Sequence, residues 1–349
     1  MLNRRTAAIA FALAVALAAS PAAALAAKET VAASKSRVVA ATSDSLDASA
    51  AKKRKKKKKK GPPAVTTSSQ LSFASGTTVP ATAHCPARTH VTGGGFNVSP
   101  PFTPPSTGLR SVTSTSHPTG PAGWHASGSA FFTPAAAGSF TTHARCESNS
   151  LGKFAEIISQ TITLAPASAQ TFTFSCPPGT HALSGGYAGA GTAGFDYPPN
   201  MPPTNLRIIP LQSRRTSPTQ WTVQALNSSA SPAAATFTGY AVCERDAKGR
   251  TISEASTFVA LINDSRASGD PTCAGRKQHV VSGGFLIFPN TVGGVPATAI
   301  DEFQPVGKGT WHLGLHELVN RGLPAGSSLQ TYAYCAPDTL KKKKKKRKR

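Results

Sequence analysis

The sequence contains no C-x-x-C pair, no H-E-x-x-H, no G-x-S-x-G and no G-x-x-x-x-G-K-S/T. These absences remove the signatures of zinc knuckles, zinc-dependent proteases, α/β-hydrolases and phosphate-binding loops. No long stretch with helical periodicity occurs after Gly61, which turns the reading toward strands. Acidic residues are few, 15 Asp and Glu against 38 Lys and Arg. Long apolar runs are missing except at the beginning, so no other stretch approaches the ~20 residues that a membrane-spanning helix needs.

That single run, Ala7 to Ala19, follows Arg4 and Arg5 and precedes Ala24-Leu25-Ala26, the layout of an export signal with a small-x-small cleavage site. Cleavage after Ala26 or Ala27 is expected, and a secreted chain, in solution or on a cell surface, follows. In an oxidising compartment the six cysteines read as three disulfides, because the count is even and the shortest gaps, Cys146 to Cys176 and Cys243 to Cys273, are 30 residues each.

Residues 61 to 340 carry a threefold internal repeat. Cys85-Pro86 leads to Gly94-Gly95-Phe96, Cys176-Pro177-Pro178-Gly179 to Gly185-Gly186-Tyr187, and Cys273 to Gly283-Gly284-Phe285. Each unit has one tryptophan, Trp124, Trp221 or Trp311, followed 22, 22 or 24 residues later by a closing cysteine, Cys146, Cys243 or Cys335. In the opening turn Arg88 stands where the second unit has Gly179. Apolar pairs two residues apart precede each opening cysteine (Leu71 and Phe73, Ile162 and Leu164, Val259 and Leu261), the period of a strand with one buried face.

The tryptophan strands alternate too, with Val223 and Ala225 on the face of Trp221 and Leu313 and Leu315 on that of Trp311. This places the indoles in the core, with the glycine pair allowing close backbone approach; exposed indoles that stack on sugar are the other use of such residues. The segments Cys146 to Lys153 and Cys243 to Arg250 align without gaps and read as hairpin turns joining successive units.

Equal treatment of the three units selects Cys85–Cys146, Cys176–Cys243 and Cys273–Cys335 from fifteen formal pairings. Each bridge would contribute about 4 kcal/mol on the chain-entropy model. The expected architecture is all-β: three tandem disulfide-stapled β-sandwich-like repeats with disordered basic tails. An open row of units is favoured; a pseudo-threefold ring would require Leu71–Phe73 to pair with Thr331–Cys335. The domain reading is 1–27 signal peptide, 28–63 disordered linker with a lysine block, 64–148, 149–245 and 246–338 β repeats, and 339–349 basic tail.

The series C-P-x-G, G-G-F/Y, W and A-x-C resembles that of uncharacterised secreted bacterial repeat proteins, over about residues 69 to 337. The resemblance implies export and a β fold and carries over no site residues.

Charge is concentrated at the ends. One run comprises Lys52, Lys53, Arg54, Lys55, Lys56, Lys57, Lys58, Lys59 and Lys60; the other comprises Lys341, Lys342, Lys343, Lys344, Lys345, Lys346, Arg347, Lys348 and Arg349. Between Gly61 and Leu340 there are only 15 Lys or Arg against 12 Asp or Glu. Such runs bury no apolar surface and repel themselves, so they read as extended arms for anionic partners: cell-wall polymer, acidic polysaccharide, extracellular nucleic acid or anionic lipid. Simple solubilising tails are the plainer use.

Candidate catalytic groups are sparse. Ser150-Leu151-Gly152-Lys153 fits S-x-x-K but lies in an inter-unit turn without its companion motifs. His312 and His316 share a strand face and could ligate metal only with further ligands, so they read as exposed polar positions. Asp301 and Glu302, adjacent on a strand, should face opposite ways and make a poor acid/base pair. The expectation is a non-enzymatic surface or matrix protein with no catalytic, cofactor or metal residues. A secreted hydrolase or glycan-binding module with a loop-built site is the alternative.

Overall fold

The computed structural model describes residues 64–73, 77–99, 110–131, 138–190, 208–227, 234–246, 250–261, 266–288, 298–317 and 327–339. The expected signal peptide (1–27), the linker with its lysine block and both basic runs lie outside these residues. The described chain has no helix and forms 18 strands, six per repeat. Repeat 1 contributes β1 (Ala64–Phe73), β2 (Thr78–His84), β3 (Thr89–Ser99), β4 (Arg110–Gly120), β5 (Gly123–Phe131) and β6 (Gly138–Ser148). Repeat 2 contributes β7 (Gly152–Leu164), β8 (Ala169–Ser175), β9 (Thr180–Ala190), β10 (Ile208–Ser217), β11 (Gln220–Asn227) and β12 (Ala235–Asp246). Repeat 3 contributes β13 (Ser253–Ala260), β14 (Arg266–Gly269), β15 (Gln278–Phe288), β16 (Thr298–Val306), β17 (Thr310–Glu317) and β18 (Ser328–Pro337).

Strands pair in three antiparallel six-stranded sheets, and each sheet is shared by two repeats. The orders are β1-β6-β3-β16-β17-β14, β13-β18-β15-β10-β11-β8 and β2-β5-β4-β9-β12-β7. Each repeat is thus a sandwich of two three-stranded halves, and each half continues into a different neighbour. Three junctions close the ring: Phe96 opposite Phe303, Phe285 opposite Ser213, and Tyr187 opposite Ser116. The repeats close with pseudo-threefold symmetry, which corrects the open row of units favoured from the sequence. Leu71 pairs with Phe140 in its own repeat, and Thr331–Cys335 lies between β13 and β15, so the ring closes through the three junctions and not by pairing these two segments.

The connections between units are also corrected. β6 and β7 lie in different sheets, as do β12 and β13, so the aligned segments turn corners between sheets and are not hairpins. The reason is topological: the strand after each closing cysteine finds its partner in the last strand of its own repeat, β7 with β12 and β13 with β18.

The disulfides join Cys85 to Cys146, Cys176 to Cys243 and Cys273 to Cys335, each tying the turn before the third strand to the sixth strand of the same repeat. The three tryptophans are at most 1% exposed, which places them in the core and removes the sugar-stacking use. The glycine pair explains how they fit. A Cβ on Gly94, Gly185 or Gly283 would lie 2.2, 2.1 or 2.2 Å from the indole of Trp124, Trp221 or Trp311. The second glycine faces the neighbouring repeat, where a Cβ on Gly186 or Gly284 would lie 2.2 or 2.8 Å from a carbonyl oxygen of β4 or β10. One glycine therefore seats the repeat's own ring and the next admits the junction strand.

Candidate functional site

The third strand of each repeat, β3, β9 and β15, runs beside the pseudo-threefold axis. Its second residue is a histidine in all three cases: His90, His181 and His279. All three are buried, and they meet Glu147 and Glu244, the residues that follow the closing cysteines of repeats 1 and 2. His279 Nε2 lies 2.8 Å from Glu147 Oε1, while His90 and His181 place Nε2 at 3.7 and 3.6 Å from the two oxygens of Glu244. Arg250, on the segment linking repeats 2 and 3, approaches Glu147 Oε2 at 2.6 Å and donates a short hydrogen bond to Glu244. Two further contacts orient the rings: Asn149 Oδ1 is 2.9 Å from His90 Nδ1, and Asp338 Oδ1 is 3.1 Å from His279 Nδ1.

The electrostatics follow from this crowding. Burial alone would favour a neutral Glu244 carboxyl, but the His181 and His90 contacts and the Arg250 charge prevail and hold it low, at about 2. Burial likewise works against charge on His90, yet the Glu244 carboxylate, with help from Asn149 and Glu147, raises that imidazole above its ordinary value. The site is an ion cluster with all three repeats as contributors, and it ties repeat 1 to repeat 3 through Glu147–His279 and repeat 1 to repeat 2 through His90–Glu244.

His90, Glu147 and Glu244 bring ligand atoms within 4.8 Å of one another, the only such group of three found among the described residues. The Arg250 guanidinium already stands between both carboxylates, so a dication would have to displace a cation fixed by the fold. Beyond the charged layer, Thr92 donates to the Val281 carbonyl at 2.8 Å and Ser282 donates to the Leu183 carbonyl, so hydroxyls stitch neighbouring repeats along the axis.

The residues singled out from sequence fall elsewhere. The S-x-x-K serine and lysine sit exposed at the corner between β6 and β7. His312 is not a bare surface histidine: its ring lies 2.7 Å from Asp270 and 2.5 Å from Glu302. His316 stands opposite Arg266 across β17 and β14. Asp301 and Glu302 do not diverge as expected, because the register shifts between Ile300 and Glu302 and both carboxylates reach Arg266, at 3.3 and 2.8 Å.

The axial residues were overlooked as a set although they leave a sequence trace. A histidine stands four residues before the first glycine of the pair in every repeat, and Cys-Glu recurs in two. No helix long and apolar enough to cross a membrane occurs among the described residues. No family model matches the chain, and no curated protein matches it. Fold and site define a closed pseudo-threefold β body, stapled by one disulfide within each repeat and by buried ion pairs on its axis; the disulfides belong to a non-cytoplasmic, oxidising setting.

Proposed function

We propose that the protein is exported, loses residues 1–27, and serves as a non-enzymatic surface or matrix protein whose two basic runs hold a rigid β body on anionic envelope polymers. The observation that carries this reading is the placement of charge: 18 of 38 Lys and Arg residues lie in two runs of nine outside a body with 15 Lys or Arg against 12 Asp or Glu. A closed ring with three disulfides supplies the rigid part, and its densest group of ionisable side chains is buried and internally paired. The run Ala7 to Ala19, placed between Arg4-Arg5 and Ala24-Leu25-Ala26, supports export.

Deleting Lys52–Lys60 and Lys341–Arg349 is expected to abolish retention on an anionic polymer column while the melting transition stays in place. Retention by the full chain should weaken steeply with salt, because counterion release dominates such binding. A doubly deleted chain that is retained as strongly, with little response to salt, would show that recognition resides in the β repeats.

A further inference from the structure

The chain has nine histidines, and the axial cluster uses three of them. Three more share one outer sheet face of repeat 1. Trp124 points into the core from β5, so its neighbour His125 points outward, and His117 on β4 stands directly opposite it. His84 ends β2 opposite Gly123, two residues before His125. A Cβ on Gly123 would lie 3.5 Å from His84 Nδ1, so the His84 ring leans over β5 at the point where that strand has no side chain.

The hydrogen bonds of the facing pair leave one nitrogen of each ring open. His117 Nδ1 lies 3.0 Å from the Pro118 carbonyl, which can only accept, so Nδ1 carries the proton and Nε2 keeps its lone pair. His125 Nδ1 is engaged by the Thr82 hydroxyl at 3.1 Å. Neither Nε2 has a hydrogen-bond partner among the described residues, and both rings are half-buried. Tyr240, opposite Gly186, backs the pair: its ring stacks on His117 with centroids 4.6 Å apart, above a glycine whose Cβ would lie 3.1 Å from that of His117.

A purely structural role leaves this arrangement unexplained. Histidines that tie the fold together elsewhere are held by carboxylates, His279 by Glu147 and Asp338 and His312 by Asp270 and Glu302. No carboxylate contacts His117 or His125 among the described residues. Nor does the repeat require histidines there, since the matching cross-strand pairs are Arg214 with Thr222 in repeat 2 and Gln304 with His312 in repeat 3. Burial disfavours the protonated form of both rings, and His117 adds to this at His125, which leaves them in the neutral form that ligates metal.

The two ring centroids are 5.3 Å apart. Imidazoles held by one tetrahedral ion, at about 2 Å from each nitrogen, have centroids about 5 Å apart. We propose that His117 and His125 ligate one divalent transition-metal ion through Nε2, with exposed His84 swinging in from its place over β5 as third ligand and water completing the shell. An all-imidazole set suits copper(II), nickel(II) and zinc(II), with copper(II) bound most tightly, and offers none of the protein oxygens that calcium and magnesium take. The Pro118 carbonyl and the Thr82 hydroxyl are the positioning groups, since the partner of one ring nitrogen fixes the direction of the other.

The test uses the full chain and copper(II) alone, titrated against a chelator of known affinity. One equivalent should bind, with nitrogen splitting from imidazole in its electron paramagnetic resonance spectrum. The double variant His117→Gln, His125→Gln should bind more than about 100-fold more weakly, because even the hydrogen-bond partners of metal-ligating histidines are worth roughly 10–100-fold. His84→Ala should weaken binding by less, and unchanged binding there overturns the part given to His84. His312→Gln should leave binding as it was; a loss there would place the metal in repeat 3 and overturn the assignment. In the unaltered chain, one equivalent of copper(II) should shield His117 and His125 from diethyl pyrocarbonate, read by mass spectrometry, a result that does not depend on how any variant folds. Equal affinity in the double variant, or labelling of both histidines unaffected by the metal, overturns the site.

Discussion

Arg250→Met is the sharpest probe of the axial cluster, because the methionine keeps most of the stem's volume while removing the guanidinium that neutralises Glu147 and Glu244. Both carboxylates have side chains that are 0% exposed, and the arginine's is too, so water cannot take over its role. Removing one partner of a buried ionic network leaves uncompensated charge and costs about 3–5 kcal/mol, a large share of the ~5–15 kcal/mol that holds a typical domain. The loss must depend on pH. Glu244 is depressed in the folded protein to about 2, so the stability it contributes is present above its unfolded value of 4.5 and is lost as pH falls through the folded one. Without the Arg250 charge its pKa rises, and protonation then removes the buried repulsion. Urea unfolding with disulfides intact should show the full penalty at pH 7 and a clearly smaller one near pH 4. Adding Glu147→Gln and Glu244→Gln to the variant should recover most of the stability at pH 7. A penalty under ~1 kcal/mol at pH 7, or one equal at both pH values, would refute the view that these charges carry the axial contact.

Arg88→Gly should raise stability by about 0.5–1 kcal/mol, since relief of the left-handed strain exceeds the added chain entropy of glycine; a loss of stability in urea unfolding would show that the side chain is held by contacts the fold needs. The histidines should separate in an NMR titration. Burial draws His143 down to about 4, whereas Glu302 lifts His312, and Glu244 lifts His90 against the opposing effect of its burial. Stability from His143 is therefore present above pH 6.5 and lost as pH falls toward 4; that from His90 and His312 is present below 6.5 and lost as pH rises through their folded values. Finding His143 the last of the three to lose its proton on raising the pH would contradict the burial and pairing described.

The local rules of the repeat were legible because they depend on spacing alone. A two-residue apolar period marks the strands, and small partners beside Trp221 require the indole to lie against backbone, which Gly185 provides. Pairing between repeats was not legible. Strands such as β3 and β15 are buried along nearly their whole length and show no alternation that singles out a neighbour, so pattern could not say that β3 joins β16 or that β6 and β7 part company at the corner. Even within one strand, a bulge at Ile300 to Glu302 reversed the face expected for one of two adjacent acids.

Repetition also hid a difference that matters for packing. Trp124 and Trp221 donate from Nε1 to Ser116 and Ser213, each eight residues earlier. The corresponding residue before Trp311 is Phe303, which meets the indole edge-on with centroids 5.2 Å apart, and Trp311 Nε1 has no hydrogen-bond partner among the described residues. The third repeat exchanges a polar contact for an aromatic one at the junction where Phe303 faces Phe96. The axial cluster obeys the same logic on a larger scale. A single histidine in each repeat, about ninety residues from the next, has no chemistry of its own on an isolated strand. It becomes part of an ion cluster only because strand sharing brings β3, β9 and β15 to one axis and because Arg250 enters from the corner between repeats. Periodicity within a strand therefore could reveal that these positions are buried, but their charge acquires meaning only from closure of the ring.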